Sequence, residues 1–165
     1  MSWHSLSRRA AFLGTLALLA ACEMTPAFGP NGAGTALYGR VQLREPEDID
    51  GFALNRHLSE RLGPEQAASY ALNYRLTTAS VAQGITPDDV TTRYSLNGTV
   101  DFALTDLASG AVITQGRVSS FTSYSAIGTT IATLTAERDA HERLMVMLAD
   151  QVVTRLLATG PKPAQ

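Results

Sequence analysis

The strongest constraint on the fold is an alternation of apolar and polar side chains over residues 92–106. Successive side chains of a strand point to opposite faces of a sheet, so this pattern predicts a strand with one buried and one open face. Such a strand needs other elements to cover its apolar side. The apolar set is Tyr94, Leu96, Val100, Phe102 and Leu104, and the polar set is Arg93, Ser95, Asn97, Thr99 and Asp101.

Three weaker alternations predict further strands. They cover residues 36–44, 69–80 and 111–125. In the last of these segments Val112 and Val118 are in phase, but the phase slips before Phe121. Because one extra residue in a strand shifts the alternation, the slip predicts a β-bulge near Ser119–Ser120.

Apolar residues spaced four apart predict two helices. The first carries Leu54, Leu58 and Leu62, and the second, from about residue 133, carries Ala140, Leu144, Leu148, Val152 and Leu156. Asp48 and Asp50 are the alternative N-caps of the first helix. Gly63–Pro64 ends the first helix and Gly160–Pro161 follows the second, because Gly accepts the left-handed cap and Pro cannot continue a helix.

These elements predict an α+β fold, a small mixed sheet of about four strands with two helices on one face in the order β-α-β-β-β-α. The chain has 165 residues, 45% of them hydrophobic and 17% charged, which suits one domain with a real core. Its single cysteine excludes an internal disulfide and a CxxC metal site. A net charge of −2 gives no general attraction to nucleic acid, so no nucleic-acid partner is expected.

The N-terminal segment is typical of an export signal. Arg8 and Arg9 precede an apolar run over residues 10–21, which is too short to span a membrane because a spanning helix needs about 20 residues. The run ends in Leu19-Ala20-Ala21-Cys22, which resembles the processing box of bacterial lipoproteins. The resemblance implies that Cys22 becomes the lipidated N-terminus of the mature chain. The general secretory route is favoured, with twin-arginine export as the alternative.

The predicted organisation therefore has four parts. They are a lipoprotein signal peptide at 1–21, the lipidated cysteine and a flexible tether at 22–35, a single α+β domain at 36–160 and a C-terminal tail at 161–165.

Catalytic patterns are absent from the sequence, and we predict that the chain is not an enzyme. It contains no GxSxG elbow and no SxxK pair. Glu137 and His141 are four residues apart and could share a metal, but with no third ligand nearby a surface ion pair is the favoured interpretation. His57 is interpreted as a helix-flank residue. We expect no metal and no cofactor besides the covalent lipid on Cys22.

Arginines are concentrated at the outward positions of the predicted strands. They are Arg40, Arg44, Arg75, Arg93 and Arg117, against only Asp101 and Asp106 among the acids of these strands. Arginine side chains on a flat face can bind phosphate or carboxylate groups in a forked geometry. The five arginines are therefore a candidate anion-binding surface, and an ordinary solvated sheet face is the alternative.

Several of these segments together resemble one known family. They are the lipoprotein box, the sequence ALYG at 36–39, the first helix GFALNRHLSERLG at 51–63, the three alternating strands, and ERDA at 137–140 leading into LADQVVTRL at 148–156. This combination resembles the lipopolysaccharide-assembly lipoprotein family LptE in its alphaproteobacterial form.

The resemblance implies a location and partners. Proteins of this kind lie at the periplasmic side of the outer membrane, lipid-anchored, as a plug and assembly partner of the β-barrel LptD, and take part in lipopolysaccharide transport to the outer leaflet. Lipopolysaccharide itself is a candidate ligand, and the five arginines are candidates for contact with it or with the barrel wall. No site residue of the family is carried over. The alternative function is an auxiliary lipoprotein of a lipid-transport ABC system.

Overall fold

The computed structural model describes residues 26–30, 32–87 and 90–161. The predicted signal peptide and Cys22 lie outside the described residues. The elements in chain order are helix α1 (Ala33–Leu37), strand β1 (Val41–Leu43), helix α2 (Ile49–Leu62), strands β2 (Tyr70–Ile85), β3 (Thr91–Asp106) and β4 (Val112–Ser125), and helix α3 (Thr130–Thr159).

The four strands form one mixed sheet in the order β1-β2-β3-β4. β1 runs parallel to β2 through only three residue pairs, Val41–Tyr70, Gln42–Ala71 and Leu43–Leu72, and α2 forms the crossover between them. β2, β3 and β4 are antiparallel neighbours along most of their length. The predicted α+β class and the mixed sheet are confirmed.

One face of the sheet is covered and the other is open, as the alternation predicts. Leu72, Val100, Phe102, Leu104 and Val118 are buried on the covered face and share one core with both long helices. The residues of opposite parity form the open face, where cross-strand pairs such as Thr77–Thr99 and Thr99–Ser119 remain at or near the surface.

Helix α2 begins and ends at the capping residues predicted from the sequence. The Asp48 side chain accepts a hydrogen bond from the Gly51 amide at 2.7 Å, so Asp48 rather than Asp50 is the N-cap. Gly63 follows the last residue with φ of 79°, a conformation that favours glycine. Leu54, Leu58 and Leu62 are all buried.

Helix α3 is 30 residues long, which corresponds to about 45 Å. It begins at Thr130, earlier than predicted, because the Thr129 side chain caps it by accepting from the Ala132 amide. Gly98 of β3 permits a close approach, since a Cβ at this position would lie 2.9 Å from methyl carbons of Leu144 and Leu148. None of the helices in the described ranges is both long and apolar enough to cross a membrane.

The two long helices run in the same direction but are offset. Asp50, in the first turn of α2, pairs with His141, and Arg61, in its last turn, pairs with Asp150. The first part of α3, residues 130–140, therefore extends beyond the start of α2 by about 15 Å. We call this part the α3 overhang.

Two predictions for the strands are wrong in detail. The strand predicted at 36–44 is limited to Val41–Leu43, because Ala36 and Leu37 close α1 and the next residues form a turn. The predicted tether covers residues 22–35, of which the structure describes 26–30 and 32–35. These residues form turns and the start of α1, and Gly34 is buried.

The second error concerns the bulge. The register shift lies at the start of β4, where Leu104 pairs with Thr114 and Thr105 with Val112, so Ile113 is the extra residue. Val112 and Val118 consequently point to opposite faces. No irregularity occurs at Ser119–Ser120, and Phe121 pairs with Asn97 on the open face, where 70% of it is exposed.

Candidate functional site

The open face carries a row of charged side chains across its three long strands. Arg75, Asp101 and Arg117 are directly opposite one another in the register of β2, β3 and β4. Arg117 donates from Nε and Nη2 to the two carboxylate oxygens of Asp101 at 2.6 and 3.0 Å. Hydrogen bonding to Arg117 lowers the pKa of Asp101, and Arg75 contributes a further attraction. The row therefore holds two cations around one anion.

Arg44 lies close to this row but is already engaged. Its Nη1 donates to the Tyr74 carbonyl at 2.9 Å, and its Nη2 is paired with Glu47. Arg44 and Arg75 line the same small cleft, together with Glu47. The cleft extends the charged row toward the β1 edge of the sheet.

The other two arginines lie apart from the row. Arg93 of β3 is opposite Gln83 and Ser125 in the sheet register. It lies eight residues from Asp101 along the same strand, a distance of about 26 Å. Arg40 lies in the turn before β1, where its carbonyl accepts from the Ser69 and Tyr70 amides. The structure thus brings three of the five predicted arginines together and leaves Arg40 and Arg93 separate.

Small polar residues occupy most of the open face between the charged row and Arg93. The three-residue rows across β2, β3 and β4 are Thr77–Thr99–Ser119, Ala79–Asn97–Phe121 and Val81–Ser95–Ser123. Phe121 is the single large side chain among them. Short side chains on a sheet leave a flat surface, which suits contact with another extended surface more than enclosure of a small molecule.

The opposite side of the domain has a different chemistry, a seam of ion pairs between α2 and α3. His57 Nε2 lies 2.9 Å from Glu142 Oε1, and Arg56 also contacts Glu142. These hydrogen bonds, first from His57 and then from Arg56, lower the pKa of Glu142. The sequence gives no local sign of this cluster, because His57 and Arg56 are 85 and 86 residues away from Glu142.

His141 also has a different partner from the one predicted. Its Nδ1 lies 2.8 Å from both carboxylate oxygens of Asp50, while Glu137 accepts from the Tyr124 hydroxyl at 3.3 Å. The predicted Glu137–His141 pair is therefore wrong. In the described ranges no three His, Cys, Asp or Glu residues are arranged to hold a metal ion.

The geometry defines a class: a small α+β domain with an open polar sheet face and a charged helical side. The family model for LptE, described as lipopolysaccharide-assembly, matches residues 38–156. The chain belongs to the LptE family. The resemblance drawn from the sequence is confirmed, and membership in this assembly family supports the prediction that the chain is not an enzyme.

Solved structures of lipoproteins share the fold. A putative lipoprotein from Caulobacter crescentus is similar with a TM-score of 0.65 and 25% identity, over 80% of this chain and 98% of that chain. Rare lipoprotein B from Shewanella oneidensis gives a TM-score of 0.57 at 13% identity, over 73% and 93% of the two chains. Lipoprotein B from Nitrosomonas europaea gives 0.57 at 13% identity, over 73% and 83%. A search of curated protein sequences gave no match.

Proposed function

We propose that this lipopolysaccharide-assembly protein is anchored through acylated Cys22 at the periplasmic side of the outer membrane, as plug and assembly partner of an LptD-type β-barrel. The family match over residues 38–156 is the observation that carries the proposal. The sequence Leu19-Ala20-Ala21-Cys22 supports the anchor. Several acyl chains together give stable membrane attachment without a transmembrane helix.

The open sheet face supports contact with a large partner. Its flat rows of Ser, Thr and Asn side chains fit the polar wall of a wide barrel lumen, because such interiors are themselves polar. The Arg75–Asp101–Arg117 row adds a positively charged position. Phosphate groups of lipopolysaccharide or carboxylates of the barrel wall are the ligands that such a row would bind.

A mild-detergent purification of the tagged full chain from its native membrane tests the partner. We expect an LptD-type barrel to co-purify in equal amount with the chain. An unrelated lipoprotein with the same tag is the control for non-specific capture. Recovery of an ABC-type permease would replace the proposal with the transport-auxiliary function, and recovery of neither partner would contradict it.

The charged row is tested separately by lipopolysaccharide binding to the purified full chain. The double change Arg75→Ala and Arg117→Ala turns the row from a net cation into a lone carboxylate, so we expect several-fold weaker binding and a smaller effect of salt on it. Arg155→Ala, which removes one exposed arginine of α3, is the control for the loss of a cation outside the row, and each single variant of the row is compared with it. Equal losses in the control and in the single variants would remove the row from the proposal.

A further inference from the structure

An apolar groove with an acidic rim lies on the helical side of the domain, away from the open sheet face. It measures about 540 Å³ and runs between the start of α2 and the α3 residues 134–142. Ile49, Ala53 and Leu134 supply its apolar surface. Ile49 is 86% exposed and Leu134 is 46% exposed, although both are large aliphatic side chains.

Further exposed apolar side chains continue this surface. Phe52 lies one turn after Ile49 in α2, and Ile131 lies one turn before Leu134 in the α3 overhang. Single exposed apolar residues are normal on protein surfaces, but a contiguous patch rimmed by polar groups is typical of an interaction site.

The offset of the two helices explains why the described part of the chain leaves this surface exposed. α2 packs along α3 from about His141 onward. Among residues 26–30, 32–87 and 90–161, no other helix lies beside the α3 overhang on that side. A second helix placed ahead of α2 would pack against the overhang in the way that α2 packs against the rest of α3. The groove beside the overhang has the form of a helix-binding groove.

The charge of the groove's rim indicates which charge a bound helix would carry. Four carboxylates line the groove against one guanidinium, that of Arg138. Asp48 caps α2, Asp50 binds His141, and Glu142 binds His57 and Arg56. Glu137 accepts only the long hydrogen bond from Tyr124 in the described structure, so it is the carboxylate of the rim most open to a cation. The rim attracts a cationic segment and repels phosphate groups, so a phosphorylated glycolipid is disfavoured at this position.

We infer that this groove binds a basic amphipathic helix of a partner protein, with apolar side chains against Ile49 and Leu134 and Lys or Arg side chains toward the acidic rim. The inference goes beyond the proposed function, which concerns the anchor, the barrel and the open sheet face. It assigns a second protein-binding surface to the other side of the domain.

Site-specific photocrosslinking of the full chain in its native membrane tests the inference. A benzophenone amino acid replaces Leu134 in one variant and Phe121, on the open sheet face, in a control variant. We expect the Leu134 adduct to map to a helical segment of another protein with an apolar face and an excess of Lys and Arg. A lipid adduct, an acidic or extended protein segment, or no adduct would overturn the inference.

A charge change tests the role of the rim. Glu137→Lys should lower the yield of the Leu134 adduct at least about tenfold, because it places a cation against a cationic partner. Asp139→Lys makes the same change on the same helix outside the groove, beside Arg143, and should leave the yield unchanged. Equal yields in the two variants would contradict the proposed chemistry. The Phe121 adduct reports on folding of each variant, and the barrel purification remains independent of this result.

Discussion

Single residues decide how closely the helices approach the sheet. Gly98 is the clearest case, because its missing side chain provides the space into which Leu144 and Leu148 pack. Leu144 and Leu148 are fully buried, so they have little freedom to move aside.

Gly98→Val should therefore destabilise the domain by about 1–3 kcal/mol through overpacking, even though valine favours strands. Urea unfolding followed by circular dichroism measures the change in the free energy of unfolding. Ala103→Val, on the open face of the same strand, is the matched control and should have little effect. A loss as large in the control as in Gly98→Val would refute the packing explanation.

The residues that the sequence failed to predict share a physical reason. The partners of Arg56, His57 and His141 lie on a different helix, and their pairing depends on how α2 and α3 are aligned. A local spacing such as that of Glu137 and His141 carries no information about this alignment. Strand parity, in contrast, correctly placed Arg75 and Arg117 on the open face, because the alternation is a local property of the chain.

At the scale of elements, the α2–α3 seam couples stability to pH. Hydrogen bonds from His57 and Arg56 hold the pKa of the Glu142 carboxyl below its usual range. A carboxyl group with a lowered pKa in the folded state contributes stability above its unfolded pKa and loses it as the pH falls through the folded value. The contribution of the Glu142 ion pairs to the stability of the fold is therefore lost as the pH falls through the folded pKa of Glu142.

Glu142→Gln should make the free energy of unfolding less dependent on pH between about 6 and 3, because the variant has no carboxylate to protonate. Urea titrations of both proteins across this range measure the slope. Glu65→Gln, in the loop after α2, should keep the wild-type slope. If Glu142→Gln showed the same acid loss as the wild type, the seam would not be its source.

The elements themselves were largely predictable, with two instructive exceptions. The long helices and the three long strands each repeat their period many times, so one irregular residue does not hide the pattern. The segment 36–44 is too short for its alternation to distinguish a strand from the α1 turn followed by β1. Phe121 was misleading because a large apolar residue on an open face imitates a shift in phase.

At the scale of the whole molecule, helical cover is uneven along the sheet. The centre of β3 lies between two strands and under α3, whereas the end of β2, from Ser80 to Ile85, is exposed on both faces. Local opening is easiest where few apolar contacts must be broken.

Hydrogen exchange should consequently be slowest at Val100 and Phe102 and much faster in β2 after Ser80. Exchange measured by mass spectrometry on the intact chain, with overlapping peptides over 70–106, resolves the two regions. Uniform protection along the β2–β3 hairpin would show that α3 does not determine local stability.

The short pairing of β1 has a mechanical consequence. Tension that reaches the domain from its N-terminal side enters through α1 and β1, and β1 is held to the sheet by three residue pairs. Because β1 and β2 are parallel, such a pull loads these few hydrogen bonds together, while the long antiparallel pairs of β2, β3 and β4 stay outside the line of force. We therefore expect the domain to yield first at its N-terminal edge, where Leu37 and Val41 leave the core before the three long strands separate.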